Sequence, residues 1–166
     1  MKQIDFVFLD LDGVVFDFHS VVGDQLNDKE KWWNEGFPAF ISAGGFADLP
    51  LLPYAYELIE FLCENVNVNF LSSAGGASRF EEIVDQKLEA LRKNGIDLPT
   101  IIVPSKGIKK QFARENYLLI DDQANNCQDF IEAGGEAIVH VDAKTTIAYI
   151  KEHYFLKGKS HDQTNI

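Results

Sequence analysis

The stretch that decides the fold is "FVFLDLDGVVFDF", Phe6 to Phe18, where an apolar run suited to a buried strand ends in Asp10 and Asp12. Burying an unpaired carboxylate costs on the order of several kcal/mol or forces it to take up a proton. Something must therefore compensate this pair. In an extended segment, residues two apart project to the same side, so Asp10 and Asp12 face one point beyond the strand end, and Gly13 lets the chain turn sharply away. Two carboxylates aimed at one point repel unless a divalent cation sits between them.

Outward from this stretch, apolar segments recur with helical patterns between them. "IDFVFL" (Ile4 to Leu9), "VNVNFL" (Val66 to Leu71), "TIIV" (Thr100 to Val103), "YLLI" (Tyr117 to Ile120) and "EAIVHV" (Glu136 to Val141) read as strands, most of them apolar on both faces as parallel strands are. Residues 54–65, 78–95, 123–135 and 145–155 carry apolar side chains at three- and four-residue spacing, with Gly95 and Gly134 where helix C-caps belong. Alternating strand and helix predict a three-layer α/β fold, a Rossmann-like parallel sheet with right-handed crossovers. Residues 19–50 break the alternation. They hold no convincing strand but contain Trp32, Trp33, Phe37, Phe40 and Phe46, and predict a small helical cap inserted after the first strand. The expected organisation is a core of 1–18 and 51–156, a cap of 19–50 and a flexible tail of 157–166, which has no periodicity.

A second acidic pair, Asp121 and Asp122, closes the apolar strand "YLLI". Adjacent strand residues point in opposite directions, so one of the two reaches the metal directly and the other supports it. A ligand set of oxygens alone suits Mg²⁺, which keeps several waters and accepts substrate oxygens. "NFLSSAGG" ends another strand in Ser72 and Ser73, whose hydroxyls and neighbouring amides suit phosphate oxygens. "PSKGIKKQFA" offers Lys106, Lys109 and Lys110, of which one is enough to neutralise the charge left by carboxylates plus phosphate.

Composition bounds the function. At 166 residues with 46% hydrophobic and 12% aromatic content, the chain buries a real core in one domain. A net charge of −11 leaves no basic stripe for displacing counterions, so no nucleic-acid polymer is expected as a partner. Cys63 and Cys127 lie far apart and outside any CxxC spacing, which suits buried thiols rather than a disulfide framework. The N-terminus turns acidic too soon for a signal peptide and no apolar run approaches membrane-spanning length, so a cytoplasmic location and no membrane partner are expected.

These pieces in this order resemble the haloacid-dehalogenase-like (HAD) superfamily of phosphohydrolases. "FLDLDGV" matches its strand followed by DxDG, "NFLSS" its strand ending in Ser or Thr with Ser72 in the key place, "KKQFA" its lysine, and "LLIDD" its acidic pair. A narrower likeness, "DLDGVVFDF" followed by "GGFADLPLLPYAYELIEFL", is similar to the 5'(3')-deoxyribonucleotidase branch, with Tyr54 and Ser-Ser-Ala as departures from its usual Gly and Thr-Ser-Pro. The resemblance implies a HAD-like core and an Mg²⁺-dependent phosphatase. In it Asp10 is the nucleophile and forms an aspartyl-phosphate, Asp12 is the acid and base, and Asp10, the Asp12 carbonyl, and Asp121 or Asp122 hold the metal. Ser72, Ser73 and Lys109 bind phosphate, and Phe18 stacks on the substrate, a small phosphomonoester such as a (deoxy)nucleoside monophosphate. Two rivals are a receiver-like phospho-acceptor, which calls for a lone phosphorylated Asp on a middle strand, and a catalytically weak binding protein on the same fold.

Overall fold

Strand formation follows the apolar runs, with one break. The computed structural model describes residues 1–76 and 78–158. Its strands are β1 (Lys2–Ile4), β2 (Phe6–Leu9), β3 (Asn67–Ser73), β4 (Thr100–Val103), β5 (Tyr117–Asp121), β6 (Glu136–Val139) and β7 (Tyr154–Leu156). A five-stranded, all-parallel sheet runs β4-β3-β2-β5-β6. Counting its strands in chain order gives 3-2-1-4-5, so the order reverses between β2 and β5. In open α/β sheets the ligand crevice lies outside the carboxyl ends at that reversal.

The single strand expected over Ile4–Leu9 is two. The chain bends at Asp5, whose N–H donates to the Asn116 carbonyl at 2.9 Å, and β1 pairs in parallel with β7 in a separate two-stranded sheet. The helix expected over 145–155 correspondingly ends at His153, and Tyr154 and Phe155 join β7. An aromatic run at the end of an amphipathic helix satisfies helical spacing and strand propensity alike, and here an available partner strand decides. The strand expected to reach Val141 stops at Val139. The tail expected from 157 lies outside the described residues from 159 onward.

β2 is buried on both faces. Val7 and Leu9 enter the larger core cluster with Leu58, Leu62 and Phe70, while Phe8 points to the other side, against Leu71, Leu119 and Phe130. Alternation within a wholly apolar strand thus supplies two cores from four residues.

Between β2 and the next long helix the chain makes a run of short helical pieces. These are α1 (Phe18–Val22), a 3₁₀ turn (Gly23–Asn27), α2 (Lys29–Lys31), a π turn (Trp32–Gly36), α3 (Phe37–Ser42) and a second 3₁₀ turn (Gly45–Asp48). Asp17 caps α1 by accepting from the Ser20 N–H at 3.1 Å. The segment leaves and rejoins the core at one place, where the Asp17 N–H donates to the Pro50 carbonyl and the Leu52 N–H to the Val15 carbonyl, each at 2.8 Å. Its rings pack on one another, Phe18 stacked on Phe46 at 5.9 Å and Phe40 edge-on to Phe46 at 5.0 Å.

The remaining helices are α4 (Ala55–Asn65), α5 (Phe80–Lys93), α6 (Ala124–Glu132) and α7 (Ala143–His153). α5 and its N-cap residue Arg79 clasp the inserted segment: Arg79 donates to the Pro38 carbonyl at 2.8 Å, Gln86 donates to the Ile41 carbonyl at 2.8 Å and accepts from the Phe46 N–H at 3.2 Å, and Lys93 pairs with Asp48 at 2.7 Å.

Phe130 of α6 is fully buried, edge-on to Phe8 at 6.4 Å. Phe130→Ala is expected to lower unfolding stability by about 3–5 kcal/mol, through lost transfer energy and the cavity left behind. Urea denaturation checks this as a fall in midpoint at unchanged slope.

Candidate functional site

Asp10 follows β2 directly, and its N–H still donates to the Ile120 carbonyl at 3.0 Å, so the ladder carries the carboxylate to the point where the strand order reverses. Its Oδ1 accepts from the Leu11 N–H at 2.8 Å and lies 3.0 Å from Lys109 Nζ. Lys109 also donates to Asp121 Oδ2 at 2.6 Å. This lysine sits in a 3₁₀ segment, Lys106–Phe112, between β4 and β5, and both it and Asp121 are buried.

Asp121 is saturated. Its Oδ1 accepts from the Gln123 N–H at 2.8 Å, Asn126 Nδ2 reaches both oxygens at 3.1 and 3.0 Å, and the Lys109 bond falls on Oδ2. The Cys127 thiol donates to its backbone carbonyl at 3.5 Å, and burial pushes that thiol up to about 12, so it serves as a donor rather than a nucleophile.

Asp122 is placed differently. It lines the cavity, and its Oδ2 lies 2.7 Å from His19 Nε2 and accepts from Gln123 Nε2 at 2.9 Å. Gly13, at φ +78°, makes room for this carboxylate, because a Cβ there would stand 2.3 Å from Asp122 Oδ2. The sharp turn after Asp12 and the approach of the second acidic pair thus need the same missing side chain.

Asp12 Oδ2 accepts from Lys87 Nζ, which also donates to Ser72 Oγ at 2.9 Å. Ser73 Oγ accepts from the Gly75 N–H at 3.1 Å, forming the turn after β3. Gly75, at φ +76°, lies beneath the inserted segment, its absent Cβ 3.3 Å from the Phe37 ring.

The core's Asp10, Asp12, Asp122, Ser72, Ser73 and Lys109 share one cavity of about 460 Å³. The inserted segment contributes Phe18, Trp33 and Phe37. Asp121 is behind this lining, touching Asp10's lysine rather than the open space. Of the three candidate lysines, Lys109 reaches the acids, Lys106 lines the cavity and Lys110 is exposed away from it. The Phe18 ring is already engaged, stacked on Phe46 and edge-on to Trp32 at 6.1 Å and Phe40 at 5.8 Å.

Two residues that the sequence motifs pass over belong to this site. His19, outside every motif, is exposed yet contacts Asp122. Lys87 had a visible signal, since it occupies the buried face of α5 with Ile83, Ala90 and Leu91, at helical spacing and where an apolar residue is expected.

Charge is out of balance around the acids. Asp10, Asp12, Asp121 and Asp122 face two buried ammonium groups, Lys87 and Lys109. Burial, and then the charge of Asp10, push Asp121 up against the opposing pull of Lys109. Burial also raises Asp12, with Lys87 opposing it. Burial alone would lower Lys109, but Asp10 and Asp121 together carry it above the usual lysine range. Acids and lysine rising together mark a site short of positive charge. Ligand oxygens of Asp10, Asp121 and Asp122 all lie within 4.8 Å of one another, and with Asp121's oxygens engaged those of Asp10 and Asp122 are the carboxylates suited to a hard divalent cation.

The comparisons bear on the fold. No protein-family model matches the chain. A haloacid dehalogenase-like family hydrolase from Streptococcus pneumoniae superposes with a TM-score of 0.55 at 14% identity, covering 89% of this chain and 98% of its own. A HAD family enzyme from Bacteroides thetaiotaomicron, in complex with magnesium and inorganic phosphate, superposes with a TM-score of 0.53 at 16% identity, covering 83% of this chain and 94% of its own. The fold is that of the HAD-like hydrolases. Over 68 residues the chain is 40% identical to the beta subunit of an ADP-forming succinate–CoA ligase from Rubrobacter xylanophilus. That match covers 40% of this chain and 18% of the ligase subunit, so the chain spans less than a fifth of that relative's length. No helix among the described residues is long and apolar enough to cross a membrane.

Gly13→Ala is expected to leave the sheet folded but to displace the Asp122 carboxylate. On the reading of Asp122 as a metal ligand, calorimetric titration with Mg²⁺ should then show affinity reduced roughly 10–100-fold, the usual cost of disturbing the groups that orient a metal ligand.

Proposed function

We propose that this protein is an Mg²⁺-dependent phosphohydrolase that acts on a small phosphomonoester through an aspartyl-phosphate on Asp10. The observation that carries the reading is the state of Asp10 at the reversal of the sheet. The residue lines the cavity, both of its side-chain contacts fall on Oδ1, and no hydrogen bond among the described residues occupies its second oxygen.

In the first step an oxygen of Asp10 attacks phosphorus and the bond to the ester oxygen breaks. Asp12 gives that oxygen a proton, and the alcohol leaves. In the second step water attacks phosphorus, Asp12 takes a proton from it, and Asp10 departs as carboxylate with inorganic phosphate as product. Ser72, Ser73 and Lys109 bind the phosphoryl oxygens, where transition-state charge is spread.

Asp10 and Asp122 are the carboxylates that would hold Mg²⁺, with the Asp12 carbonyl as the resemblance implies. Asp121, its oxygens already saturated, holds Lys109 and supports the set. When bound, the cation offsets the repulsion between an anionic nucleophile and an anionic substrate.

We assign the substrate as a (deoxy)nucleoside monophosphate, since Phe18, Trp33 and Phe37 line the cavity and give a planar base an apolar wall. The strand order speaks against the receiver-like alternative, whose doubly wound order is 2-1-3-4-5 rather than 3-2-1-4-5.

Phosphate release across nucleoside monophosphates and sugar phosphates, with Mg²⁺ and with EDTA, tests this reading. Steady turnover that EDTA abolishes and that Asp10→Asn lowers at least ~10³-fold is expected. A stable phosphoprotein without turnover would replace the hydrolase with a phospho-acceptor, silence would leave a binding protein, and a preference for sugar phosphates would overturn the nucleotide assignment alone.

A further inference from the structure

Lys87 projects from α5 into the core, with a side chain only 2% exposed. Its helix neighbours on that face, Ile83, Ala90 and Leu91, are apolar and buried. Burying an ammonium is expensive unless it is paired and hydrogen-bonded, and well-packed apolar residues often serve stability as well as a buried ion pair does. Packing alone therefore gives no reason for a lysine here, and its partners are where the reason lies. They are Asp12 Oδ2, Ser72 Oγ at 2.9 Å and the face of the Phe46 ring, 4.7 Å from Nζ to the centroid.

We propose that Lys87 is a positioning residue, which fixes the acid oxygen of Asp12 and the hydroxyl of Ser72 in one relation to the cavity, under a ring supplied by the inserted segment. The inference rests on the hydrolase reading and goes beyond it, because Lys87 belongs to none of the motifs that carry that reading. Asp12 must meet the leaving oxygen while Ser72 meets a phosphoryl oxygen of the same substrate. A single ammonium bonded to both sets the distance between those two tasks. Phe46 ties the arrangement to the inserted segment, since its ring covers Lys87 while its N–H donates to Gln86, the preceding residue of α5. Seating of the segment and seating of the acid are therefore set on adjacent residues of one helix.

Leaving-group dependence tests this. An alkyl alcohol needs a proton as it leaves, whereas p-nitrophenolate departs with little help. Rates are to be measured for a series from p-nitrophenyl phosphate to alkyl phosphates, on wild type, Lys87→Met, Lys87→Arg and Asp12→Asn, with circular dichroism to verify folding. Lys87→Met is expected to lower kcat/KM, which excludes the hydrolysis of the aspartyl-phosphate common to all esters, ~10²-fold more on alkyl esters than on p-nitrophenyl phosphate, so that its slope approaches that of Asp12→Asn. Lys87→Arg, which keeps the charge and donors, should recover part of the alkyl activity. If Lys87→Met does not fold, Lys87→Gln reads the same slope. Equal loss on every ester, or a wild-type slope beside a steep Asp12→Asn, would overturn the proposal and leave the hydrolase intact. Absence of wild-type turnover would remove the hydrolase reading and this proposal together.

Discussion

The structure hinges on one buried ammonium lodged between two strand ends. Lys109 bonds Asp10 beyond β2 and Asp121 at the end of β5, joining neighbouring strands where the sheet reverses its order. Removing one partner from such a buried arrangement typically costs about 3–5 kcal/mol, because a charge is left desolvated and unpaired. Each of the three groups depends on the other two. The backbone serves the same end: the Asp10 N–H extends the ladder to Ile120, and the His140 N–H donates to the Asp121 carbonyl at 2.9 Å from the far side. Asn126 and Cys127, successive residues of α6, complete the shell around Asp121.

The inserted segment is built on a different principle. Its helices are short, and a helix of five or six residues has little stability of its own. What holds them is a cluster of aromatic rings and the polar clasp of α5 and its N-cap residue Arg79, whose side chains bond backbone groups of the segment. The two chain connections at its base lie side by side, so the segment meets the core through a narrow neck and through α5. An apolar wall is in this way set against an acidic floor within a single cavity.

Much of this was legible in the sequence, and the rest was hidden for identifiable reasons. A parallel strand buried on both faces is a plain apolar run, so β2 to β6 could be read within a few residues of their ends. β1 and β7 could not. Lys2–Ile4 runs into β2 with only Asp5 between, and Tyr154–Leu156 continues an amphipathic helix, and each becomes a strand because the other is there to pair with it. The acids of the site were visible because they stand at the ends of such runs. Alternation said that Asp121 and Asp122 differ, but only three dimensions show Asp121 enclosed by Lys109, Gln123 and Asn126 while Asp122 lines the cavity. His19 left no trace, since an exposed histidine at the start of a short helix looks like any other polar surface residue. Lys87 did leave one, a cation at an apolar position of α5, which is a local inconsistency of the kind that marks a functional site.

The two buried lysines divide the acids between them, and the division has a chemical sense. Lys109 is bonded to Asp10 and Asp121, neither of which exchanges a proton in the proposed cycle. Lys87 is bonded to Asp12, which must do so twice, and to Ser72, which stays neutral. Burial raises Asp12 while Lys87 opposes the rise, so the acid sits between a desolvating pocket that favours its proton and a cation that favours its release. Burial is the larger influence, and the net displacement is upward. A group that protonates a leaving oxygen in one step and accepts a proton from water in the next requires that balance, whereas a nucleophile needs a cation beside it throughout. One lysine shared among all four carboxylates could not meet both requirements, and the fold meets them by bringing Lys109 from the segment before β5 and Lys87 from the helix after β3.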